Sequence, residues 1–252
     1  MSTLVNVQFD ESTALVQLDD AATRNALSPR LSIELSDAVD DALARDATAI
    51  VVHANGPVFC SGGSLDELEA PTHPLEDAYR GVFALAAAAV PTIAVVRGAV
   101  VGAGVNIVLA CDVVLASPTA RFDPRFLDVG IHPGGGHLWR LEQRVGGQGA
   151  AALSLCGDTL NGEEAQRAGL VWRCLPDDDL WPTAMRYAQR IASRPAELVR
   201  RAKASLRRSS EFEHIDDAIE LEREAQIWSM AQPFFAERVR AARERIGRTS
   251  HH

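Results

Sequence analysis

Thr92-Ile93-Ala94-Val95-Val96-Arg97-Gly98-Ala99-Val100-Val101-Gly102-Ala103-Gly104-Val105-Asn106 passes from an unbroken apolar run into three closely spaced glycines. The run 92–96 has no polar alternation, the pattern of a strand buried on both faces. The glycines then mark a junction where a strand hands over to a helix. Forty residues earlier the same grammar occurs. Ala49-Ile50-Val51-Val52-His53 is followed by the breaker Asn55-Gly56-Pro57 and by Phe59-Cys60-Ser61-Gly62-Gly63-Ser64-Leu65. Working outward, Val5 to Phe9 and Ala14 to Leu18 read as strands joined by a turn, and Val113 to Ala116 as another strand. Ser28-Pro29 opens a helix with Leu31, Leu35, Ala38 and Val39 at helical spacing. Strands alternating with helices predict an α/β fold, a mostly parallel sheet or stack with helices packed outside.

Near Val145 the character changes. The spacing predicts helices over 148–155, 162–168, 181–192, 195–208, 212–230 and 233–246. Val171 to Leu175 is the one strand expected among them. The expected division is a core over 1–190 and a helical C-terminal region over 191–252. His251 and His252 are set aside as the stub of a tag.

The bulk numbers bound the function. The chain has 252 residues, 47% hydrophobic and 23% charged, enough to build a large core. Its formal net charge of -9 gives no overall field that attracts nucleic acid or an anionic membrane. Cys60, Cys111, Cys156 and Cys174 form no CxxC pair and read as reduced thiols. No basic-then-apolar leader opens the sequence, and the longest apolar stretch, interrupted by Pro91, is too short for a bilayer. The expectation is a cytoplasmic protein.

Small residues at a strand-to-helix junction let backbone approach a ligand, and free N–H groups at a helix start favour negative charge. Two such turns facing one another can hold one oxygen between two N–H donors, an oxyanion hole. A serine nucleophile is not indicated, because Ser61 and Ser64 lack the GxSxG elbow. The Gly102 to Gly104 run also lacks the spacing of a dinucleotide fingerprint.

Arg24-Asn25-Ala26-Leu27-Ser28, the segment Phe59 to Leu65, Gly102 to Asp112 and His132-Pro133-Gly134-Gly135-Gly136 together resemble the crotonase (enoyl-CoA hydratase/isomerase) superfamily. Leu160 to Val171 (LNGEEAQRAGLV) extends the match. The resemblance implies a spiral of ββα units and a homotrimer or dimer of trimers. It also implies lyase or isomerase chemistry of fatty acid metabolism on a coenzyme A thioester, with no further cofactor and no metal. It places an oxyanion hole at the backbone N–H groups of Gly63 and Ala103. By the same likeness, Arg24, Ala26, Leu27, Ser61, Gly62, Ser64, Leu65, Gly102 and Phe126 line the groove for coenzyme A and the acyl chain.

The pattern then breaks. Hydratases of this family carry two glutamates for water activation and α-carbon protonation. The first position is Asn106 here, and a gap-free count through Phe122 to Pro133 (FDPRFLDVGIHP) puts Phe126 at the second. Neither transfers a proton near neutral pH. Asp123, Asp128, His132 and His137 remain as titratable groups on that segment. Asp128 and His132 stand as acid/base candidates, against an ion pair with Arg121 or Arg125 for Asp128 and a structural role for His132. Asp123 reads as a turn cap before Pro124. His132 and His137 lack the further ligands that a metal needs. Phe83 and Trp139 read as acyl-pocket or core aromatics. The basic run Arg200 to Arg208 reads as a phosphate aid or a solvated helix face. Two functions follow: an enzyme working through a thioester enolate, or a non-catalytic acyl-CoA binding protein.

Overall fold

The computed structural model describes residues 3–209 and 211–249, so the terminal histidines lie outside the described residues. The chain divides into two compact units, Met1–Ala192 and Ser193–His252.

The first unit is built on two sheets. β1 (Val5–Asp10) and β2 (Thr13–Leu18) form an antiparallel hairpin at one edge. Onto β2 are added β3 (Ala49–Ala54), β5 (Thr92–Val96), β7 (Val113–Ala116) and β10 (Arg173–Cys174), every pairing parallel. The second sheet runs β4 (Val58–Cys60), β6 (Ala99–Val101), β8 (Arg121–Asp123) and β9 (Leu160–Asn161). Its β4–β6 and β6–β8 pairings are parallel, and β8–β9 is antiparallel. The chain therefore deals one strand to each sheet in turn: β3 then β4, β5 then β6, β7 then β8. That alternation is the ββα spiral.

Helices follow from local chemistry. In α1 (Pro29–Ala44) the Ser28 hydroxyl accepts from Leu31 N at 3.1 Å, and Pro29 stands where a helix has no use for an N–H. Leu31, Leu35, Ala38, Val39 and Ala42 are buried along one stripe. α3 (Arg80–Ala87) packs on α1 at close range: a Cβ at Gly81 would meet the Ser32 carbonyl at 2.6 Å. α4 (Ala103–Ala110) is buried along its whole length. On the other face of the first sheet, Leu180, Ala184 and Ala188 of α7 (Asp177–Ala192) pack with Val51, Ile93 and Leu115.

Two features depart from the sequence reading. β4, β6 and β8 have three residues each, too short for a period of two to register. The helix expected from Gln148 is the second half of α5 (His137–Leu155), which bends at Gly146 with φ 71°. The glycine pair Gly146-Gly147 broke the helical pattern in sequence but only kinks the helix in space.

The second unit holds α8 (Ala196–Ser209), α9 (Ile215–Met230) and α10 (Pro233–Thr249). The Arg201 guanidinium, paired with Glu197, lies 4.0 Å over the Trp228 ring, so part of the basic run serves helix packing. Leu206, Ile215 and Ile219 are exposed. Among the described residues, no helix is long and apolar enough to cross a membrane.

Candidate active site

Each glycine turn follows a strand of the second sheet, and β4 pairs with β6, so the turns are neighbours. The approach is tight. A Cβ at Gly62 would lie 3.3 Å from the Val101 carbonyl oxygen, and one at Gly104 would lie 2.7 Å from Cys60 Cβ. Gly62 has φ 106° and Gly102 φ 48°, conformations that L side chains rarely adopt. Gly102 N donates to the Asp123 carbonyl at 2.9 Å, which anchors the second turn to β8. Ala103 is the first residue of α4, so its N–H belongs to the helix end that has no partner within the helix.

The Arg24–Leu27 segment is strapped to the first turn. Leu27 N donates to Gly62 O at 2.7 Å, Ser61 N to Arg24 O at 3.1 Å, and the Ser61 hydroxyl to Thr23 O at 2.9 Å. Arg24 and Asn25 have φ near +58° and +57°. Asn25 is buried and holds the loop by donating to the carbonyls of Asn55 (3.0 Å) and Val58 (2.9 Å).

Around these turns lies a largely apolar cavity of about 490 Å³. Gly63 and Ala103 both line it, as do Arg24, Leu27, Ser61, Gly62, Ser64, Leu65 and Gly102. Phe126 lines it too, together with Tyr79, Val129 and Ile131. Ala26 belongs to the strap but is not part of the lining.

The two proton-transfer candidates stand elsewhere. Asp128 is exposed in a short 3₁₀ turn (Leu127–Val129) and does not line the cavity. His132 is exposed, its Nδ1 2.8 Å from the Pro133 carbonyl, and it too lies outside the lining. Arg125 and Arg121 pair with Asp123, the buried carboxylate before Pro124. Phe83 and Trp139 are exposed and also outside the lining.

Asn106 is fully buried within α4, and its carboxamide is occupied at both ends. Nδ2 donates to Gly134 O at 2.9 Å, and Oδ1 accepts from His137 Nδ1 at 2.6 Å. The same imidazole packs on Phe126, ring centroids 4.9 Å apart. Asn106 and Phe126 therefore both meet the His137 ring. Donation from Nδ1 leaves Nε2 as the unprotonated nitrogen, buried and without a hydrogen-bond partner among the described residues. Burial pushes the His137 pKa down to about 4, so the ring is neutral at pH 7.

One set of polar groups on the cavity was not singled out from sequence. Glu67, in α2 (Leu65–Glu69), and His73, in the loop beyond it, both line the cavity. Ser64-x-x-Glu67 is a capping-box spacing and the only sequence signal for the pair. In the structure Ser64 Oγ accepts from Glu67 N at 3.4 Å, while the Glu67 carboxylate turns toward Thr72 and His73 instead. Among the described residues, no His, Cys, Asp or Glu group clusters in a way that would hold a metal.

An α/β spiral with paired glycine turns on an apolar cavity defines a crotonase-type protein. Residues 8–240 match the enoyl-CoA hydratase/isomerase family, and the chain belongs to it. The chain is 38% identical to the "Probable enoyl-CoA hydratase EchA14" of Mycobacterium tuberculosis strain H37Rv, covering 96% of this chain and 98% of that one. Human enoyl coenzyme A hydratase domain-containing protein 3 superposes with TM-score 0.89 at 25% identity, over 96% of this chain and 98% of that one. A Thermobifida fusca YX protein solved in complex with CoA has TM-score 0.84 at 26% identity, over 91% of this chain and 93% of that one. The fold class expected from sequence is the one found.

Proposed function

We propose that this chain binds an acyl-CoA thioester in the cavity beside Gly63 and Ala103 and stabilises the thioester enolate there. The observation that carries this reading is the contact between the two glycine turns, with Gly63 and Ala103 on one apolar cavity. An enolate oxygen between two fixed N–H donors is stabilised where its charge develops, and one such donor is worth about 3 to 4 kcal/mol. Support for the ligand class comes from the Thermobifida fusca protein solved with CoA and with acetoacetyl-CoA. In this reading Arg24, exposed on the strapped loop, meets a phosphate of coenzyme A. The 191–252 region serves trimer assembly in this reading.

Enoyl-CoA hydration in the usual manner does not fit. Asn106 spends its carboxamide on Gly134 and His137, and Phe126 presents only a ring. Losing general acid/base catalysis costs on the order of 10²–10⁴-fold per group. The same occupied carboxamide favours a second reading, a non-catalytic acyl-CoA binding protein.

Three measurements on one preparation separate these readings: crotonyl-CoA affinity, crotonyl-CoA hydration, and deuterium uptake at the α-carbon of butyryl-CoA in D₂O. Binding with α-exchange and negligible hydration is expected. Binding with neither reaction returns the protein to a carrier role. Brisk hydration would overturn the assignment of Asn106 and Phe126 to the glutamate positions.

A further inference from the structure

Enolate chemistry requires a base that reaches the cavity, and among the described residues five ionisable side chains line it: Arg24, Glu67, His73, Tyr79 and Arg125. Arginine stays protonated, and Tyr79 is raised above its ordinary phenol range by burial. A carboxylate is a weak base at pH 7 unless its pKa is raised. Hydrogen bonds from the Thr72 side chain and backbone, with those from His73, instead lower that of Glu67. Histidine is the remaining type, and its ordinary range spans neutrality.

The loop presents His73 in a defined way. Its Nδ1 lies 2.9 Å from Thr72 Oγ1 and 3.3 Å from Glu67 Oε1. The Thr72 hydroxyl donates to Glu67 Oε2 at 2.8 Å, so Thr72 Oγ1 is free to accept from His73 Nδ1–H. The backbone N–H groups of Thr72 and His73 also donate to Glu67 Oε1, at 2.7 and 2.8 Å. One carboxylate thereby fixes the loop, the tautomer and the ring, and Nε2 is left as the lone-pair nitrogen. Ser64, the N-cap of α2, follows Gly63, and Leu68 of that helix would touch a Cβ placed at Gly63 at 3.8 Å. Glu67 precedes Leu68, so Glu67 is carried on the element that abuts the hole and holds His73 in the loop beyond it.

We infer that His73 and Glu67 form the proton-transfer pair of this cavity, with His73 as the catalytic base and Glu67 as its positioning residue. The inference rests on the enolate reading above. His73 Nε2 takes a proton from the α-carbon. The C–H pair becomes the new C=C bond, and the carbonyl π pair moves onto the oxygen between Gly63 and Ala103. Glu67 faces the imidazolium that results. Returning the proton to carbon closes the cycle with no other reactant. His73 is exposed at the cavity edge, with 45% of its side chain accessible, so the proton it carries exchanges with water.

The test is deuterium uptake by butyryl-CoA in D₂O, read by mass spectrometry, with crotonyl-CoA affinity measured in parallel. His73→Ala is expected to slow exchange on the order of 10²–10⁴-fold, with affinity retained and the rate partly restored by added imidazole. Glu67→Gln is expected to slow exchange by less. His73→Gln gives a second variant in case His73→Ala does not fold. Exchange at the wild-type rate in the His73 variants overturns the pair and leaves the enolate reading standing. A loss that imidazole does not rescue and that parallels weakened binding assigns His73 a structural role and also overturns it. Absence of exchange in the wild-type protein overturns the enolate reading and the pair together.

Discussion

His137 concentrates much of what distinguishes this protein at the scale of single residues. Its ring joins Asn106 and Phe126, the two positions that the count along the sequence set against the family's glutamates. Its pKa of about 4 in the fold lies below the unfolded value near 6.5. The sign follows directly. Above pH 6.5 both states are neutral and the folded protein has its full stability. Between pH 6.5 and 4 the unfolded chain takes up a proton that the folded chain refuses, so stability falls as pH falls. The loss amounts to roughly 3 kcal/mol by pH 4. Urea unfolding at pH 7 and pH 4.5 should show most of it, and His137→Gln should flatten the dependence. Asn106→Ala strips Gly134 O and His137 Nδ1 of their partner at a fully buried site. It should cost about 2 to 4 kcal/mol, from the orphaned groups and the cavity combined. Denaturant midpoints would check it.

Elements explain why some motifs were readable and others were not. The LNGEE stretch is a structural device: Asn161 caps α6 (Gly162–Ala168) in a reciprocal capping box with Glu164. A Cβ at Gly162 would lie 2.0 Å from the Ser117 carbonyl, so only glycine fits. Such local chemistry is written in neighbouring residues, and so are the glycine junctions and the helix stripes. The Glu67–His73 contact is equally local but has no periodicity. It depends on a loop folding back six residues, which no spacing rule announces. The fate of Asn106 depends on a partner 31 positions away, beyond the reach of any window. For the same reason Asp128 and His132 looked eligible: counting along a segment does not say which way it faces. Gly104 offers a test at this scale. Gly104→Ala puts a Cβ 2.7 Å from Cys60 Cβ and must displace the start of α4. A stability cost of about 1 to 3 kcal/mol is expected. Butyryl-CoA exchange should fall on the order of 10²-fold as the Ala103 N–H leaves its place. A stable Gly104→Ala protein with full exchange would argue against the hole.

For the molecule as a whole, the exposed apolar residues of the C-terminal unit bear on assembly. Leu206 is 71% accessible and Ile215 76%. The trimer reading predicts a sedimentation mass near three times 27.1 kDa, about 81 kDa, or twice that for a dimer of trimers. A monomer across the micromolar range would remove it.

The pairing of β4 with β6 has one more consequence. Paired strands lie about 4.8 Å apart whatever side chains they carry. The two N–H groups that follow them are therefore set by main-chain geometry, and few point substitutions outside the glycines can dismantle them. Acid and base groups are side chains, and a single codon change replaces one. In the enolate reading, a scaffold of this kind can lose one reaction and acquire another without passing through a form that no longer steadies a charged oxygen.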